Sequence, residues 1–480
     1  MNNQRATCAV ARIVAIIFFG LLCLAGCATR KYRPSPIVPT GTASAYQLRS
    51  LADSGLEAFE EKNLVRTFEP WPPKTWDLGM LSRAAVYFNP ALETARARVT
   101  EAEGAIVTAN ARPNPNLSVA PGIPSPYLLT SDLAVPIETA GKRRHRVQVT
   151  RNLDRAARLD LADSAWKIRS AVRVALLSYL VGVRNLELLR SEEEVRREQV
   201  TLLEQRFSVG EIPRPEIDLA RIELSKTHLA ISTAEGQVNE TRAALAAAIG
   251  IPPAGLQGFN FSWTALESPP SFESLSSGHI QRDAVLNRLD VRRALAQYAA
   301  AEADLQLEIS KQYPDIQIGP GYTYEERNNF FTVGFSSTLP LFNRNQGPIA
   351  EAEARRKEAA SVFLERQAQV IADSERALAR YRAAVKEFAE ADQSLRVLQD
   401  TQQKMMQQAV EVGEEDRLTL NGLRIESSVV ARSRLDALGH AQSALGELED
   451  AVQRPLDPGD TFSIAPDSST LNGPRREPER

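Results

Sequence analysis

Glu414, Glu415 and Asp416 stand in a row between Gly413 and Arg417. Adjacent carboxylates could draw in cations, and they repel one another unless a positive group such as Arg417 pairs with them. The stretch that holds them, "AVEVGEEDRLTLNGLRIE" at 409–426, has a counterpart in "RFSVGEIPRPEIDLARIE" at 206–223. Gly210 matches Gly413, Asp218 matches Asn421, and Arg221-Ile222-Glu223 matches Arg424-Ile425-Glu426. A second charged cluster, Lys142, Arg143, Arg144 and Arg146, precedes a helical run. Positive charge at a helix N-terminus opposes the helix dipole, so a phosphate or headgroup, or else acids of a neighbouring subunit, should compensate it. Catalysis finds no footing. The histidines at 145, 228, 279 and 440 lack metal-site spacing. No Gly-rich phosphate loop or nucleophile elbow occurs. A net charge of −3 argues against nucleic acid as a partner. The sequence therefore offers no catalytic residues, no metal ligands and no cofactor.

The chain opens with arginines at 5 and 12, an apolar run from Ile13 to Leu24, and small residues before Cys27. The run is too short for a spanning helix, which needs about 20 residues, and reads as a secretory signal over 1–26. Leu24-Ala25-Gly26-Cys27 resembles the bacterial lipobox, which implies that Cys27 is lipidated and becomes the mature N-terminus; an ordinary cleavage site is the alternative. Ala28 is not the aspartate that retains such lipoproteins at the inner membrane, so an outer-membrane address follows. Cys8 and Cys23 leave with the signal, which excludes a disulfide framework.

The matched glycines belong to a tandem repeat. At a shift of 199, Leu92 pairs with Val291, Ala95 with Ala294, Glu103 with Glu302, Pro115 with Pro314 and Gly122 with Gly321. The first repeat is read as 75–250, with a helix, a β-hairpin at 115–138, a long helix at 143–209 and a return helix at 216–249. The second, 286–454, has its hairpin at 314–341, long helix at 348–412 and return helix at 418–453. Residues 27–74 are proline-rich and read as an extended arm, 251–285 as an inter-repeat linker, and 455–480 as a disordered tail.

The hairpins alternate: Phe331, Val333, Phe335, Leu339 and Leu341 share one face, Thr332, Gly334, Ser336 and Thr338 the other. Strands of about ten residues with one apolar and one polar face suit a transmembrane barrel, although a soluble sheet has the same pattern. The long helices carry narrow seams, Ile168, Val172, Tyr179, Leu186 and Leu189 in the first, Ile371, Leu378, Tyr381, Val385 and Phe388 in the second. Roughly 65 residues make a rod about 100 Å long, which a compact globule cannot bury. Four strands cannot close a barrel, so other copies must complete it; three copies leave an aqueous passage, two do not.

The lipobox, the duplicated unit, the strand ends "VPIETAGKRRHR" and "LPLFNRNQGPIAEAEA", and rods of this length together resemble the TolC-like outer-membrane efflux proteins over about 75–455. The resemblance implies an α+β membrane protein: a homotrimer with a twelve-stranded outer-membrane β-barrel continuous with a periplasmic α-helical barrel. It also implies a passive exit duct of a tripartite, RND-type pump. The partners would be a periplasmic adaptor (membrane fusion protein), an inner-membrane transporter and outer-membrane lipid. "PIETAGKRRHR" is most similar to the cation-efflux branch, which implies heavy-metal cargo, although Thr139 and Ala140 depart from its usual small pair; drug or organic efflux is the alternative cargo. Gly210 and Gly413 would then end the rods deep in the periplasm, with Arg206, Gly210, Glu211, Gly413 and Leu418 as adaptor-docking candidates. Glu414, Glu415, Asp416 and Arg417 would ring the entrance. A periplasmic coiled-coil structural lipoprotein or adaptor is the competing class. An enzyme is disfavoured because no nucleophile, base and orienting group assemble.

Overall fold

The computed structural model describes residues 31–64, 67, 69–122, 128–271, 276–326 and 328–456. The signal, Cys27 and 457–480 of the tail lie outside the described residues. The chain forms two units that meet between Leu48 and Arg49. The first contains helix α1 (Pro39–Gln47), which starts on a proline and buries no residue. Proline suits a first helical turn because its fixed φ is helical and its missing N–H is not needed there. The stretch read as extended thus holds a helix, and α2 (Ser54–Leu64) in the second unit is another.

The second unit continues with β1 (Thr75–Trp76), α3 (Leu78–Phe88) and α4 (Pro90–Asn110). Asp77 caps α3 by accepting from the Met80 N–H at 2.8 Å, and Asn89 caps α4 by accepting from the Ala91 N–H at 3.0 Å. Then come β2 (Asn116–Gly122), β3 (Leu128–Ile137), α5 (Lys142–Ser208) and α6 (Arg214–Ile249). The 67 residues of α5 span about 100 Å at 1.5 Å each. The segment read as a linker is structured: β4 (Asn260–Phe261) pairs in parallel with β1, and α7 (Ser277–Asn287) starts inside it, capped by Ser276. The second series is α8 (Leu289–Ser310), β5 (Ile316–Glu325), β6 (Asn328–Ser337), α9 (Gln346–Ala389), α10 (Arg396–Glu411) and α11 (Arg417–Val452).

Two sequence expectations need correction here. The second long helix is not one α-helix: a π turn at Glu390–Leu395 separates α9 from α10. The π turn falls between the seam positions Phe388 and Leu395, where the sequence keeps a seven-residue step, so the apolar spacing gives no sign of it. Leu339 and Leu341 lie beyond β6, which ends at Ser337, whereas their counterparts Val135 and Ile137 are within β3.

The large sheet is antiparallel with the order β2-β3-β5-β6, so β2 and β6 are its edges. Its register aligns Leu117 with Leu133, Val135 with Ile318, and Ile318 with Phe335 on one face. Ser118, Asp132, Gly321 and Thr332 form one row of the other face. The main core lies midway along α5, where Leu159, Ala162, Val172 and Leu176 pack with Trp76, Leu81, Leu245, Ile249 and Leu256. A second core joins Val370, Leu378 and Tyr381 of α9 to Leu445 and Leu448 of α11. Fully burying one such leucine is worth about 2 kcal/mol, so these cores are what hold the rods side by side.

Candidate functional site

Both rods end by the same device. Gly210 and Gly413 each take φ 78°, the left-handed region that only glycine enters freely. The Glu211 N–H donates to the Arg206 carbonyl at 3.0 Å, and the Glu414 N–H to the Ala409 carbonyl at 2.9 Å. These six-residue loops satisfy carbonyls the helices leave open. Pro213 then blocks continuation and caps α6, which begins with proline in its first turn.

The two tips touch. Arg206 Nη2 lies 2.5 Å from Asp416 Oδ2, with both side chains about two-fifths exposed, and Arg206 Nε is 3.8 Å from Glu211 Oε2. Leu418 of the second tip packs on the first tip's cluster of Val200, Leu203, Ile217 and Ala220. A recess of about 290 Å³ opens there, lined by Gln205, Arg206, Val209, Glu211, Asp416 and Leu418. The structure thus gives Asp416 the partner Arg206, whereas Arg417 was the sequence's candidate. The reason is chain path: Arg417 turns away as the first residue of α11, while the second tip brings Asp416 onto α5. Glu414, Glu415 and Arg417 are exposed. Further up, Glu198 meets Arg424 at 3.5 Å and Glu192 meets Arg432 at 3.0 Å, so charge pairs lace α5 to α11.

The basic cluster at the start of α5 divides. Lys142 Nζ is 2.6 Å from Asp315 Oδ1, and Arg146 Nη1 is 2.6 Å from Glu138 Oε1 while its Nε donates to the Ala109 carbonyl. Arg144 is exposed and Arg143 half-buried. The compensating acids for Lys142 and Arg146 come from the same chain. Thr139 ties the first hairpin to the second, its N–H donating to Asp315 Oδ1 at 3.0 Å and its hydroxyl to the Pro314 carbonyl at 2.8 Å.

One cluster escaped the sequence reading. Arg169 and Arg173, nearly fully buried on α5, converge on Glu449 of α11 at 3.0 and 3.3 Å. Arg173 also donates to the Gln442 carbonyl at 2.7 Å, and Gln442 donates to the carbonyls of Ala265 and Leu266. Trp166 and Trp263 lie under the two guanidiniums at 4.8 Å each. Asp450 accepts from Trp166 Nε1 and the Ser170 hydroxyl; burial, which outweighs these bonds, pushes its carboxyl above the ordinary aspartate range. This network joins both repeats and the segment between them. Its only sequence signal is two arginines four apart beside the apolar seam.

Among the described residues, no group of three His, Cys, Asp or Glu is disposed to hold a metal, and no helix is long and apolar enough to cross a membrane. Four amphipathic strands joined to long rods with turned, charged tips define the class of outer-membrane channels. Residues 81–251, the bulk of the first repeat, match the outer membrane efflux protein family; with the relatives below, this match supports an outer-membrane efflux channel, and the fold is TolC-like. It is similar to the cobalt-zinc-cadmium resistance protein CzcC of Cupriavidus metallidurans, 26% identical over 331 residues, which cover 68% of this chain and 77% of that protein. It is also similar to the pyoverdine export outer membrane protein OpmQ of Pseudomonas aeruginosa, 26% identical over 379 residues, 72% of this chain and 77% of that one. In fold it matches the outer membrane protein VceC of Vibrio cholerae with a TM-score of 0.61 at 20% identity, covering 78% of this chain and 95% of that chain.

Proposed function

We propose that three copies of this chain close a twelve-stranded barrel in the outer membrane, whose passage continues between the rods into the periplasm as a passive exit duct. The observation that carries this reading is the pair of edges, β2 and β6, on a sheet that presents an apolar face. An open edge in lipid leaves amides without partners at several kcal/mol each, and closure with other copies removes both edges. Cys27 carries the lipid anchor. The tips at Arg206, Gly210, Glu211, Gly413 and Leu418 receive a periplasmic adaptor that links the duct to an inner-membrane transporter. Glu414, Glu415 and Asp416 ring the entrance. Arg143 and Arg144, with no ion pair among the described residues, face phospholipid headgroups.

The cargo is metal cations, a reading supported by the likeness to a cobalt-zinc-cadmium resistance protein and by the strand end "PIETAGKRRHR". The likeness to a pyoverdine export protein favours a second reading, efflux of organic compounds. Purified protein in planar bilayers tests the duct: discrete conductance is expected, and trimers impermeable under every gating condition would refute it. A variant with Cys27→Ala and a nonlipidated signal should still need detergent for extraction. Its release into buffer would favour a periplasmic coiled-coil lipoprotein instead.

A further inference from the structure

We infer that Asp132 is a cation-selecting residue inside the barrel passage, separate from the acids at the tips; this rests on the closed-barrel reading above. Asp132 sits midway along β3 on the polar face, aligned with Ser118 of β2 on one side and Gly321 of β5 on the other, with Thr332 of β6 next in the row. Its side chain is exposed and has no hydrogen-bond or ion-pair partner among the described residues. The four strands contain no lysine or arginine, and their only other ionisable side chain on that face is Glu325, at the end of β5 beside the turn.

The wall around Asp132 is bare. A β-carbon at Gly321 would lie 2.5 Å from both Asp132 Oδ1 and Thr332 Oγ1, so these two side chains occupy the space above the glycine from either side. Gly319 faces Gly334 one step further along the same face. The row therefore offers oxygen atoms only, with one uncompensated charge. In a trimer the common register sets three such carboxylates at one height. A ring of aspartates in a low-dielectric wall raises the local concentration of cations and repels anions, as in cation channels.

The test uses the full-length trimer in planar bilayers under a KCl gradient. It starts from a background with Glu414→Gln, Glu415→Gln and Asp416→Asn, which removes the three entrance carboxylates and breaks the Arg206–Asp416 pair while leaving Glu211 beside Arg206. The background should keep a cation-over-anion permeability ratio above one. D132N should lower that ratio at least twofold, D132E should keep it, and D132K should bring it below one. The difference should shrink in 1 M KCl, where the screening length falls to about 3 Å. D132S is the second neutral variant where D132N trimers do not assemble. Conducting channels whose ratio is the same with and without the Asp132 charge would overturn this inference and leave the duct intact. Absence of any conductance from the unsubstituted and background trimers would overturn the barrel itself.

Discussion

Replacing Arg206 by alanine removes the ion pair that joins the two tips. The partners are 2.5 Å apart but 39% and 42% exposed, so solvent screens them and each pair contributes about 0.2–1 kcal/mol. If the three tips of a trimer open together, the sum is about 0.6–3 kcal/mol, which is roughly a threefold to a hundredfold gain in open probability. Leu418 and its apolar cluster remain, so the duct should still close most of the time. Single-channel recording at low salt measures the gain directly. Raising KCl to 1 M should move the wild type toward R206A, since screening weakens the pair in the native tip alone. D416A should act on the wild type but add little to R206A, because both remove one interaction. An open probability unchanged in R206A, or full additivity of the two substitutions, would refute the reasoning.

Two further outcomes follow from buried charge. Glu449→Ala leaves Arg169 and Arg173, 1% and 2% exposed, without their carboxylate, and should destabilise the chain by about 3–5 kcal/mol. Thermal denaturation followed by circular dichroism reads this, and a melt that coincides with the wild type would sink it. Glu60 is fully buried, and desolvation pushes its carboxyl up to about 7 despite Arg83 Nε at 2.7 Å from Oε2. Because the folded chain holds this proton to higher pH than the unfolded chain, the contribution to stability is complete below the ordinary glutamate range and is lost as pH rises to about 7. Denaturation between pH 5 and 8 should show that slope, with E60Q flattening it; an equal slope in E60Q would count against the assignment.

What could be read from the sequence is what local chemistry dictates. Gly210 and Gly413 announced the rod ends because a left-handed terminus favours glycine, and alternation at Phe331, Val333 and Phe335 announced a strand. The pairs that cross the fold left no such trace. Arg169 and Glu449 are 280 residues apart, Arg206 and Asp416 are 210 apart, and nothing near either residue specifies its partner. Hence Arg417, the local candidate, was expected where Arg206 stands. The π turn escaped for another reason: a seam with gaps tolerates several registers, and only packing against α11, where Arg434 takes Asp392 at 2.5 Å, selects one.

The strand order carries a consequence for assembly. Within the chain, β3 meets β5, the last strand of one hairpin against the first strand of the next. In a closed ring, β6 of one copy would meet β2 of another, which is the same kind of junction. Half of the junctions are therefore already made when a chain folds, with Thr139 and Asp315 fastening each at its base. A twelve-stranded ring built from separate hairpins would need six molecules to collide in register, and one built from this chain would need three. By mass action, the amount of ring at equilibrium then follows the third power of free chain concentration instead of the sixth, so the tandem repeat makes assembly less sensitive to dilution.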